Sequence, residues 1–312
     1  MFSTSESVDA CRRWLRELAP DVIVIETHYM AAYVPDDLFA RAVFDTHNSE
    51  TYRIATMAKT LGVSPRGLAA RWQLPVVREY EADIAARSAR VVVVSDGDRT
   101  FFELFAPGRV DVVPNGVDCS RIEARLVPPS NPTILFLGSL DYSPNVDALN
   151  VLVDDIAPLI SRRDATIAVV GSNPRPAVFD AARRCSLAVS IAADVADTGP
   201  YWKGARCLVV PLRMGGGTRL KILESLAWGV PVVSTKLGCE GLELRDRREL
   251  LIADDAKDFA AAVDRLLDDH ALGNTLAKRG RELVEARYDW TRLGELFDRS
   301  AEAVLRANAT TR

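Results

Sequence analysis

One segment of the sequence, residues 211–235, combines glycines, cations and a helix start in a way that suits a bound anion. It reads PLRMGGGTRLKILESLAWGVPVVST, which is an apolar strand end, a glycine loop, a helix with leucines at helical spacing, and another strand. Glycines let the backbone approach a ligand closely, and the free N–H groups of a helix's first turn attract phosphate. We therefore predict an anion site at Gly215, Gly216, Gly217 and Thr218, with Thr218 as the helix cap.

Two cations in the first turn of that helix strengthen the prediction of an anion site. Arg219 and Lys221 oppose the preference of a helix N-terminus for acids, at a cost of roughly 0.3 to 1 kcal/mol each if nothing negative is bound. A plain packing loop is the alternative, because glycines between a strand and a helix are common in α/β proteins. Neither the P-loop pattern nor the dinucleotide fingerprint is present in the sequence.

Two of the three histidines, His28 and His47, directly follow predicted strands. Side chains at the carboxyl ends of parallel strands face the crevice in which α/β proteins bind ligands. A histidine there can donate to a hydroxyl or to developing negative charge, and it titrates near neutral pH. A structural histidine is the alternative at both positions. Asp96 and Asp98 imitate an Asp-x-Asp metal motif, but their place between VVVVS and a predicted helix favours helix capping.

The elements that position these residues alternate between strand and helix along the whole chain, which predicts an α/β protein with parallel sheets. Predicted strands at 21–27, 42–46, 91–95 and 110–113 form a first sheet, and those at 134–138, 166–171, 188–191, 207–211 and 231–234 form a second. The polar, proline-rich stretch 118–132 is predicted to be a linker. We expect an N-terminal domain at 1–128, a C-terminal domain at 133–290, and a helix at 291–312 that crosses back to the N-terminal domain.

Composition limits the class of protein further. The 312 residues, 48% of them hydrophobic, can bury the cores of two ordinary domains. The net charge of −4 argues against nucleic acid as the main partner. The five cysteines lack close pairs, so neither a disulfide framework nor a zinc site is indicated. The sequence has no apolar run of roughly 20 residues and no apolar signal core at its N-terminus, so we expect a cytoplasmic protein.

Several sequence blocks, in order, resemble those of the retaining glycosyltransferases of family 4, also called glycosyl transferase group 1. They are DVIVIETH (21–28), VFDTHNSE (43–50), VVVVSDGDR (91–99), VDVVPNGVD (110–118), ILFLGSLDYSPNVDAL (134–149), IAVVGSNP (167–174), the segment 211–235 and GCEGLEL (238–244). The resemblance implies a GT-B fold, in which two doubly wound Rossmann-like domains face a cleft. It also implies that the C-terminal domain holds a nucleoside diphosphate sugar, that the N-terminal domain holds a hydroxyl acceptor, and that neither a metal ion nor another cofactor is needed.

The resemblance gives Glu224 a role. It matches the second glutamate of the family's Glu-x7-Glu motif, which binds the two ribose hydroxyls. The first glutamate of that motif is replaced by Gly216, as in members with a GGGTRLK loop, where N–H groups of the loop contact the donor sugar. An exposed helix acid is the alternative for Glu224.

The family's diphosphate-binding cations are altered in this chain. The block GSLDYSPN, which begins at Gly138, has Ser139 and Asn145 where many members have basic residues. The counter-charges that remain are Arg213, Arg219 and Lys221, and each charge-assisted contact would contribute on the order of 1.5 to 3 kcal/mol. A solvated helix lysine is the alternative for Lys221. Further donor contacts implied by the resemblance are Gly138, Ser139, the turn at Gly171, and the segment 192–197, which includes Val195 and meets the base through its backbone.

The N-terminal half departs from the family in length. The resemblance places His28 beside the transferred sugar, but roughly two βα units that members carry before the block at residue 21 are missing. The chain could be a truncated reading frame, a minimal active form or a degenerate protein. We expect the sheet edge left behind to allow pairing with another copy of the chain.

The sequence therefore predicts a retaining transferase that moves a sugar from a nucleoside diphosphate sugar to a hydroxyl acceptor, in polysaccharide, glycolipid or natural-product assembly. A non-catalytic nucleotide-sugar-binding or assembly protein of the same fold is the main alternative. A sugar-nucleotide epimerase is disfavoured by the GGGTRLKILE block, and a dehydrogenase by the missing dinucleotide fingerprint. Peripheral contact with a membrane through basic patches stays open.

Overall fold

The computed structural model describes residues 4–125, 127–215 and 219–310. The chain forms two compact units: the first contains the residues up to 115 and those from 291 onward, and the second contains residues 116–290. Each unit is built on a sheet of parallel strands. This confirms the α/β class predicted from the alternation of strands and helices.

The strands, in chain order, are β1 Ile23–Glu26, β2 Ala42–Thr46, β3 Arg90–Val93, β4 Val110–Val112, β5 Thr133–Leu137, β6 Thr166–Gly171, β7 Ala188–Ala193, β8 Cys207–Val210, β9 Val232–Ser234 and β10 Leu251–Ile252. The α-helices are α1 Ser5–Leu18, α2 Glu50–Leu61, α3 Pro65–Arg87, α4 Asp96–Phe102, α5 Ser143–Asn150, α6 Pro176–Arg184, α7 Gly199–Gly204, α8 Leu220–Ala227, α9 Ala256–Asp268, α10 His270–Arg287 and α11 Trp290–Thr310. Short 3-10 or π turns lie at His28–Tyr33, Asp36–Arg41, Cys119–Arg121, Val151–Ile156, Ala157–Leu159 and Leu237–Cys239. The sequence prediction missed β10, which is too short to show an apolar pattern.

The first unit has the strand order β1-β2-β3-β4. Because side chains alternate between the two faces of a strand, each face of this sheet forms its own core. On one face Phe44 packs with Ile84 of α3 in the larger cluster. On the other face Val43 and Val92 pack with Val304 of α11. The C-terminal helix therefore belongs to the first unit.

A buried carboxylate from α3 holds the start of α2. Glu81 is fully buried and accepts hydrogen bonds from the N–H groups of Glu50 at 2.8 Å and Thr51 at 3.0 Å. Negative charge is favoured at a helix N-terminus, so this contact ties the two helices into a hairpin. Between them Ile54 and Ala70 belong to a small core of their own.

The second unit has the strand order β10-β9-β8-β5-β6-β7. The chain runs from β5 outward to β6 and β7, then returns to the other side of β5 to form β8, β9 and β10. The order thus reverses between β5 and β8, which makes this pair of strands the topological switch point of the sheet. Large buried side chains on both faces, among them Phe136, Trp202 and Phe259, form the core of this unit.

The stretch 118–132, expected to be a linker partly within the N-terminal domain, is bound to the second unit. Arg281 of α10 donates to the carbonyl oxygens of Cys119 at 3.1 Å and Ile122 at 3.3 Å. Arg125 donates to the carbonyl oxygen of Gly229 at 3.1 Å. The boundary between the units lies at residues 115 and 116 instead of 128. The polar composition of the stretch 118–132 does not reveal that it is bound to the second unit, because the arginines donate to backbone carbonyls and not to particular side chains.

Strand β1 lies at one edge of the first sheet. Pairing of two copies through this edge stays a prediction. Within the described residues, no helix combines the length and the apolar character that crossing a bilayer requires.

Candidate functional site

The donor residues predicted for the C-terminal half converge on one end of the second sheet. Gly138 follows β5, Gly171 ends β6, and the segment 211–219 joins β8 to α8. Because β5 and β8 are the strands at which the chain order reverses, their carboxyl ends border the position where α/β sheets bind ligands. The topology therefore brings together residues that are far apart in the sequence.

Two glycines let the backbones after β5 and β6 approach closely. A Cβ on Gly171 would lie 1.8 Å from the carbonyl oxygen of Gly138. A Cβ on Gly138 would lie 2.7 Å from the side-chain nitrogen of Asn145 and 2.8 Å from Nζ of Lys221. Neither position has room for a side chain, and the Lys221 ammonium consequently lies against the backbone at the end of β5.

Lys221 places its ammonium at this end of the sheet. Its Nζ donates to Oδ1 of Asn145 at 3.0 Å and lies 5.7 Å from the centre of the Phe136 ring. The pKa of Lys221 is lowered to about 8, mainly because burial desolvates the ammonium. The nearby charge of Arg219 also lowers this pKa, and the charge of Glu224 raises it. Across the described ranges, no carboxylate forms an ion pair with Lys221. The fold thus holds a half-buried cation in place through a neutral hydrogen-bond acceptor, with no ion-pair partner among the described residues.

Glu224 lies one helical turn after Lys221 on α8 and is half-buried. Burial raises the pKa of Glu224, and the nearby Lys221 acts in the opposite direction. No hydrogen bond to its carboxylate is found among the residues that the structure describes. A desolvated carboxylate with unused acceptor sites can accept from two neighbouring hydroxyl groups of a ligand.

Asn145 is the residue whose role the sequence did not reveal. It stands where many family members have a cation, and its amide nitrogen donates to the backbone carbonyl of Ser139 at 2.9 Å while its oxygen accepts from Lys221. Asn145 therefore fixes the Lys221 ammonium relative to the turn after β5. The hydroxyl of Ser139, predicted to contact the donor, instead donates to Asp141 at 2.5 Å.

Arg213 is paired away from Lys221 and Asn145. It forms a two-bond ion pair with Asp147 on α5, at 2.8 and 3.2 Å, and is mostly exposed. Because Asp147 already balances its charge, Arg213 is a weaker anion ligand than the sequence suggests. Nothing in the sequence around Asp147 indicated that it would pair with Arg213.

The glycine loop is only partly described. Gly215 has a φ of +111°, and a Cβ there would lie 3.3 Å from the Arg219 guanidinium. Gly216, Gly217 and Thr218 lie outside the described residues, so their anion contacts stay predictions. Helix α8 begins at Leu220 with Arg219, not Thr218, at the N-cap position, and Arg219 makes no side-chain capping bond.

The predicted base-binding segment lies beside the turn after β6. The N–H of Asp194 donates to the carbonyl oxygen of Gly171 at 3.0 Å, and the N–H of Asn173 donates to the Asp194 carboxylate at 2.8 Å. Val195 is half-buried against the core of the second unit. The segment is thus adjacent to Gly171, as a shared nucleotide site requires.

His28 and His47 both lie at the carboxyl edge of the first sheet. Glu26 of β1 and Asp45 of β2 are paired in register, which places the residues that follow them side by side. His28 is half-buried, with its ring centre 3.9 Å from that of Tyr29, whereas His47 is exposed. The two histidines therefore share an edge, as predicted from their positions after strands.

Asp45 and Thr27 add features to this edge that the sequence reasoning missed. Burial raises the pKa of Asp45; the charge of His47 opposes the rise and that of Glu26 adds to it. Thr27 has a φ of +65°, a rare conformation for a β-branched residue, and its N–H donates to the Asp45 carbonyl at 3.0 Å. A polar residue inside the apolar strand VFDT was the available signal for Asp45.

Ser95, and not Asp96 or Asp98, is the N-cap of α4, and the two aspartates lie in the first turn of the helix. The hydroxyl of Ser95 accepts from the Asp98 N–H at 3.1 Å and donates to the Asp98 carboxylate at 2.6 Å, at the start of α4. In the part of the chain that the structure describes, no three His, Cys, Asp or Glu residues are grouped to hold a metal ion. Metal independence stays an expectation.

A cavity of about 610 Å³ lies in the first unit, between α2, α3 and α4. Its lining residues are Thr51, Ala55, Leu74, Pro75, Arg78, Glu79, Ala82, Phe101 and Phe105. None of the residues predicted to bind the donor or to act in catalysis lines it. This apolar cavity is therefore not formed by the residues predicted to bind the donor.

Two family models match the chain in succession. Residues 6–121 match the model described as Glycosyltransferase Family 4, and residues 131–269 match the one described as Glycosyl transferases group 1. The chain belongs to the group 1 glycosyltransferases. The first match contains His28 and His47, and the second contains Gly138, Lys221 and Glu224.

A curated glycosyltransferase resembles a short part of the chain. The lipopolysaccharide core biosynthesis glycosyltransferase LpsE of Rhizobium meliloti (strain 1021) is 39% identical over 69 residues. This match spans 22% of the present chain and 20% of the length of LpsE.

Solved structures of glycosyltransferases resemble nearly the whole chain. Sucrose-phosphate synthase from Thermosynechococcus elongatus has a TM-score of 0.75 at 19% identity, over 96% of this chain and 77% of that one. HepE of Anabaena, in complex with UDP, has a TM-score of 0.70 at 14% identity, over 95% of this chain and 82% of that one. The fold of this group 1 glycosyltransferase is therefore of the GT-B type.

Proposed function

We propose that this chain transfers a sugar from a nucleoside diphosphate sugar to a hydroxyl acceptor, with retention of the anomeric configuration. One observation carries the proposal. Lys221 presents a half-buried ammonium at the switch point of the second sheet, held by Asn145 and lacking an ion-pair partner among the described residues. Such a group suits a ligand that brings its own negative charge.

In the proposed complex, the diphosphate lies beside Lys221 Nζ and the backbone of Gly138, which has no side chain to block its approach. Glu224, one turn along α8, accepts from the ribose hydroxyls. The backbone of the segment 192–197 contacts the base. Each assignment matches a residue that the group 1 resemblance implies.

The proposed chemistry needs stabilisation of the leaving group. The bond between the sugar's anomeric carbon and the diphosphate oxygen breaks, a bond from the acceptor oxygen forms on the same face, and the acceptor's proton is released. Negative charge grows on the departing diphosphate. A fixed ammonium in a poorly hydrated position stabilises that charge, which is why we assign this role to Lys221.

On the acceptor side, we propose that His28 and Asp45 act at the carboxyl edge of the first sheet. The half-buried imidazole, the carboxyl group with a raised pKa and the strained Thr27 backbone support this placement. HepE, a structural neighbour, has been solved with UDP and with UDP-glucose, so UDP-sugars are the first donors to test.

A donor panel tests the proposed function. UDP-, GDP- and dTDP-sugars are incubated with the protein, and binding and slow donor hydrolysis are followed for the wild type, for Glu224→Gln and for the control Glu282→Gln, which changes an exposed residue of α10. We expect one donor class to bind and hydrolyse, with a dissociation constant roughly 10-fold or more higher in Glu224→Gln alone. Binding without turnover for any donor or acceptor would favour a non-catalytic nucleotide-sugar-binding protein. Absence of nucleotide binding would contradict the site.

Donor affinity should fall as the pH rises above the pKa of Lys221. A lysine is charged below its pKa, and burial has lowered this one to about 8, so the free protein loses the ammonium as the pH passes through this value. A bound diphosphate restores the charge, so binding takes up a proton. We expect affinity to drop by up to roughly tenfold per pH unit above this value. Titration calorimetry in buffers of different ionisation enthalpy measures the uptake; the same pH slope in Lys221→Met would exclude this lysine as its source.

A further inference from the structure

The cavity between α2, α3 and α4 has the size and the lining of a small-molecule site. Its volume of about 610 Å³ lies within the range of roughly 300 to 1,000 Å³ that ligand pockets occupy. Its walls include Phe101 and Phe105, whose ring centres lie 5.3 Å apart, and the aliphatic Ala55 and Leu74. Such walls suit a hydrophobic body and not a free sugar, whose hydroxyl groups would lose their hydrogen bonds to water.

Thr51 contributes a buried hydroxyl group to the lining of this cavity. The residue lies in the first turn of α2 and is only 9% exposed. Within the described residues, its hydroxyl oxygen has no hydrogen-bond partner. Leaving a buried hydroxyl without a hydrogen bond costs free energy, and a valine of nearly the same shape would avoid that cost. The hydroxyl is therefore suited to a ligand that has a polar group on an apolar body.

Pro75 is a second lining residue that stability alone does not favour. It lies in the interior of α3. A proline there removes a backbone hydrogen bond and crowds the preceding turn of the helix, so helix interiors normally lack it. Its ring adds apolar surface to the cavity. Local departures from what stability favours are expected at functional sites.

The cavity borders the place proposed for the acceptor. Tyr80 follows the lining residue Glu79 on α3, and its ring packs edge-on against His28, with ring centres 6.2 Å apart. The next residue, Glu81, accepts from the backbone N–H of Thr51 at 3.0 Å. One turn of α3 thus contacts both the His28 ring and the start of α2. A molecule in the cavity therefore lies close to the carboxyl edge of the first sheet.

We propose that this cavity binds the apolar body of the hydroxyl acceptor, with the Thr51 hydroxyl bonded to a polar group of the bound molecule. The acceptor is thus an alcohol with a hydrophobic body, either a ring system or a hydrocarbon chain. This inference rests on the proposed transfer to a hydroxyl acceptor beside His28. It adds the chemical class of that acceptor.

Equilibrium binding of small probes to the full chain tests the cavity. 2-Naphthol and 1-decanol represent the two kinds of apolar body, and naphthalene is the matched ring without a hydroxyl. We expect at least one alcohol to bind saturably, and Ala55→Phe, which fills the cavity, to weaken its binding by roughly 10-fold or more. Thr51→Val should weaken alcohol binding by roughly 2- to 12-fold, which corresponds to one hydrogen bond, and should leave any binding of naphthalene unchanged.

Two controls separate a binding role from a structural one. Ala69→Phe makes the same change at an exposed position of α3 that does not line the cavity, and it should bind the probes like the wild type. Thr51→Val should keep or raise the midpoint of thermal unfolding, because it removes an unsatisfied buried hydroxyl. Absence of binding for both alcohols would overturn the inference. So would normal binding in Ala55→Phe, or a lower unfolding midpoint in Thr51→Val.

Mass spectrometry of reactions with the donor identified by the sugar panel tests the acceptor role. A naphthyl or decyl glycoside should form with the wild type and fall by roughly 10-fold or more in Ala55→Phe, while nucleotide binding is unchanged. Alcohol binding and donor hydrolysis without any such glycoside would contradict the acceptor role. Failure of the proposed function has a different signature, because the wild type would then bind no nucleotide, whereas failure of this inference leaves nucleotide binding intact.

Discussion

Replacing Lys221 with methionine should weaken the binding of a nucleoside diphosphate by roughly 10- to 150-fold, because a single charge-assisted contact contributes about 1.5 to 3 kcal/mol. Methionine keeps the length and the contact with Phe136 but removes the ammonium that Asn145 holds against Gly138. Titration calorimetry near neutral pH, where the ammonium is present, measures the change. Turnover should fall as well, since the same charge is assigned to the leaving diphosphate.

The thermal stability of Lys221→Met distinguishes a binding role from a structural one. Desolvation disfavours the Lys221 ammonium in the free protein, as its lowered pKa shows, so removing the charge should leave the midpoint of thermal unfolding unchanged or higher. The exposed Lys257 on α9 provides the control, and Lys257→Met should alter neither property. Unchanged nucleotide binding in Lys221→Met would contradict the assignment, as would a loss of binding that accompanies a lower unfolding midpoint.

Gly171→Ala should destabilise the second unit by about 3 kcal/mol or more, at the upper end of what overpacking costs. The added Cβ would lie 1.8 Å from the carbonyl oxygen of Gly138 and 2.9 Å from Leu140. The clash cannot be relieved by a side-chain rotation, because the atom it meets is backbone. Moving that backbone would break the bond from the Gly138 N–H to Val170, at 3.0 Å, within the core of the sheet.

Urea unfolding of Gly171→Ala beside Gly204→Ala measures this effect. Gly204 ends α7, and a Cβ there would meet nothing within 4 Å, so its replacement should change the free energy of unfolding by no more than about 0.5 kcal/mol. If both variants unfolded at the wild-type urea concentration, the close approach of β5 and β6 would not be as described.

The strands and the general place of the proposed donor site could be predicted from the sequence, because both depend on local patterns. Apolar runs located the strands, and the glycine loop before the leucine-spaced helix indicated the end of the sheet at which we propose that the donor binds. Lys221 and Glu224 could be named because they lie on the helix that follows that loop. The start of this helix at Leu220 was misplaced by one residue, which is within the fraying of helix ends.

The partners of the charged groups could not be predicted, because they come from distant parts of the chain. The bond from Lys221 to Asn145 joins residues 76 positions apart, and the ion pair of Arg213 with Asp147 joins residues 66 positions apart. Arg125 and Arg281 bind backbone carbonyls of segments that look like a linker or a turn. Nothing local in the sequence shows that Arg213 has an ion-pair partner while Lys221 has none among the described residues, yet this difference is why we propose Lys221 as the anion ligand.

Our proposal of Lys221 as the anion ligand has a physical basis in the free-energy cost of burying a charge. A protein that only needed stability would place an apolar residue beside Phe136, or pair the ammonium with a carboxylate. Here the fold supplies a neutral amide from Asn145, and in our proposal the ligand supplies the balancing charge. Local departures from what stability favours are expected at functional sites.

A crystal structure of the chain with its tightest-binding nucleoside diphosphate from the panel of UDP, GDP and dTDP tests the central claim most directly. We predict a diphosphate within hydrogen-bond distance of Lys221 Nζ beside the backbone of Gly138, with the ribose hydroxyls on the Glu224 carboxylate. A nucleotide bound elsewhere in the second unit, or one whose phosphates contact Arg213 while Lys221 stays bonded only to Asn145, would contradict this account.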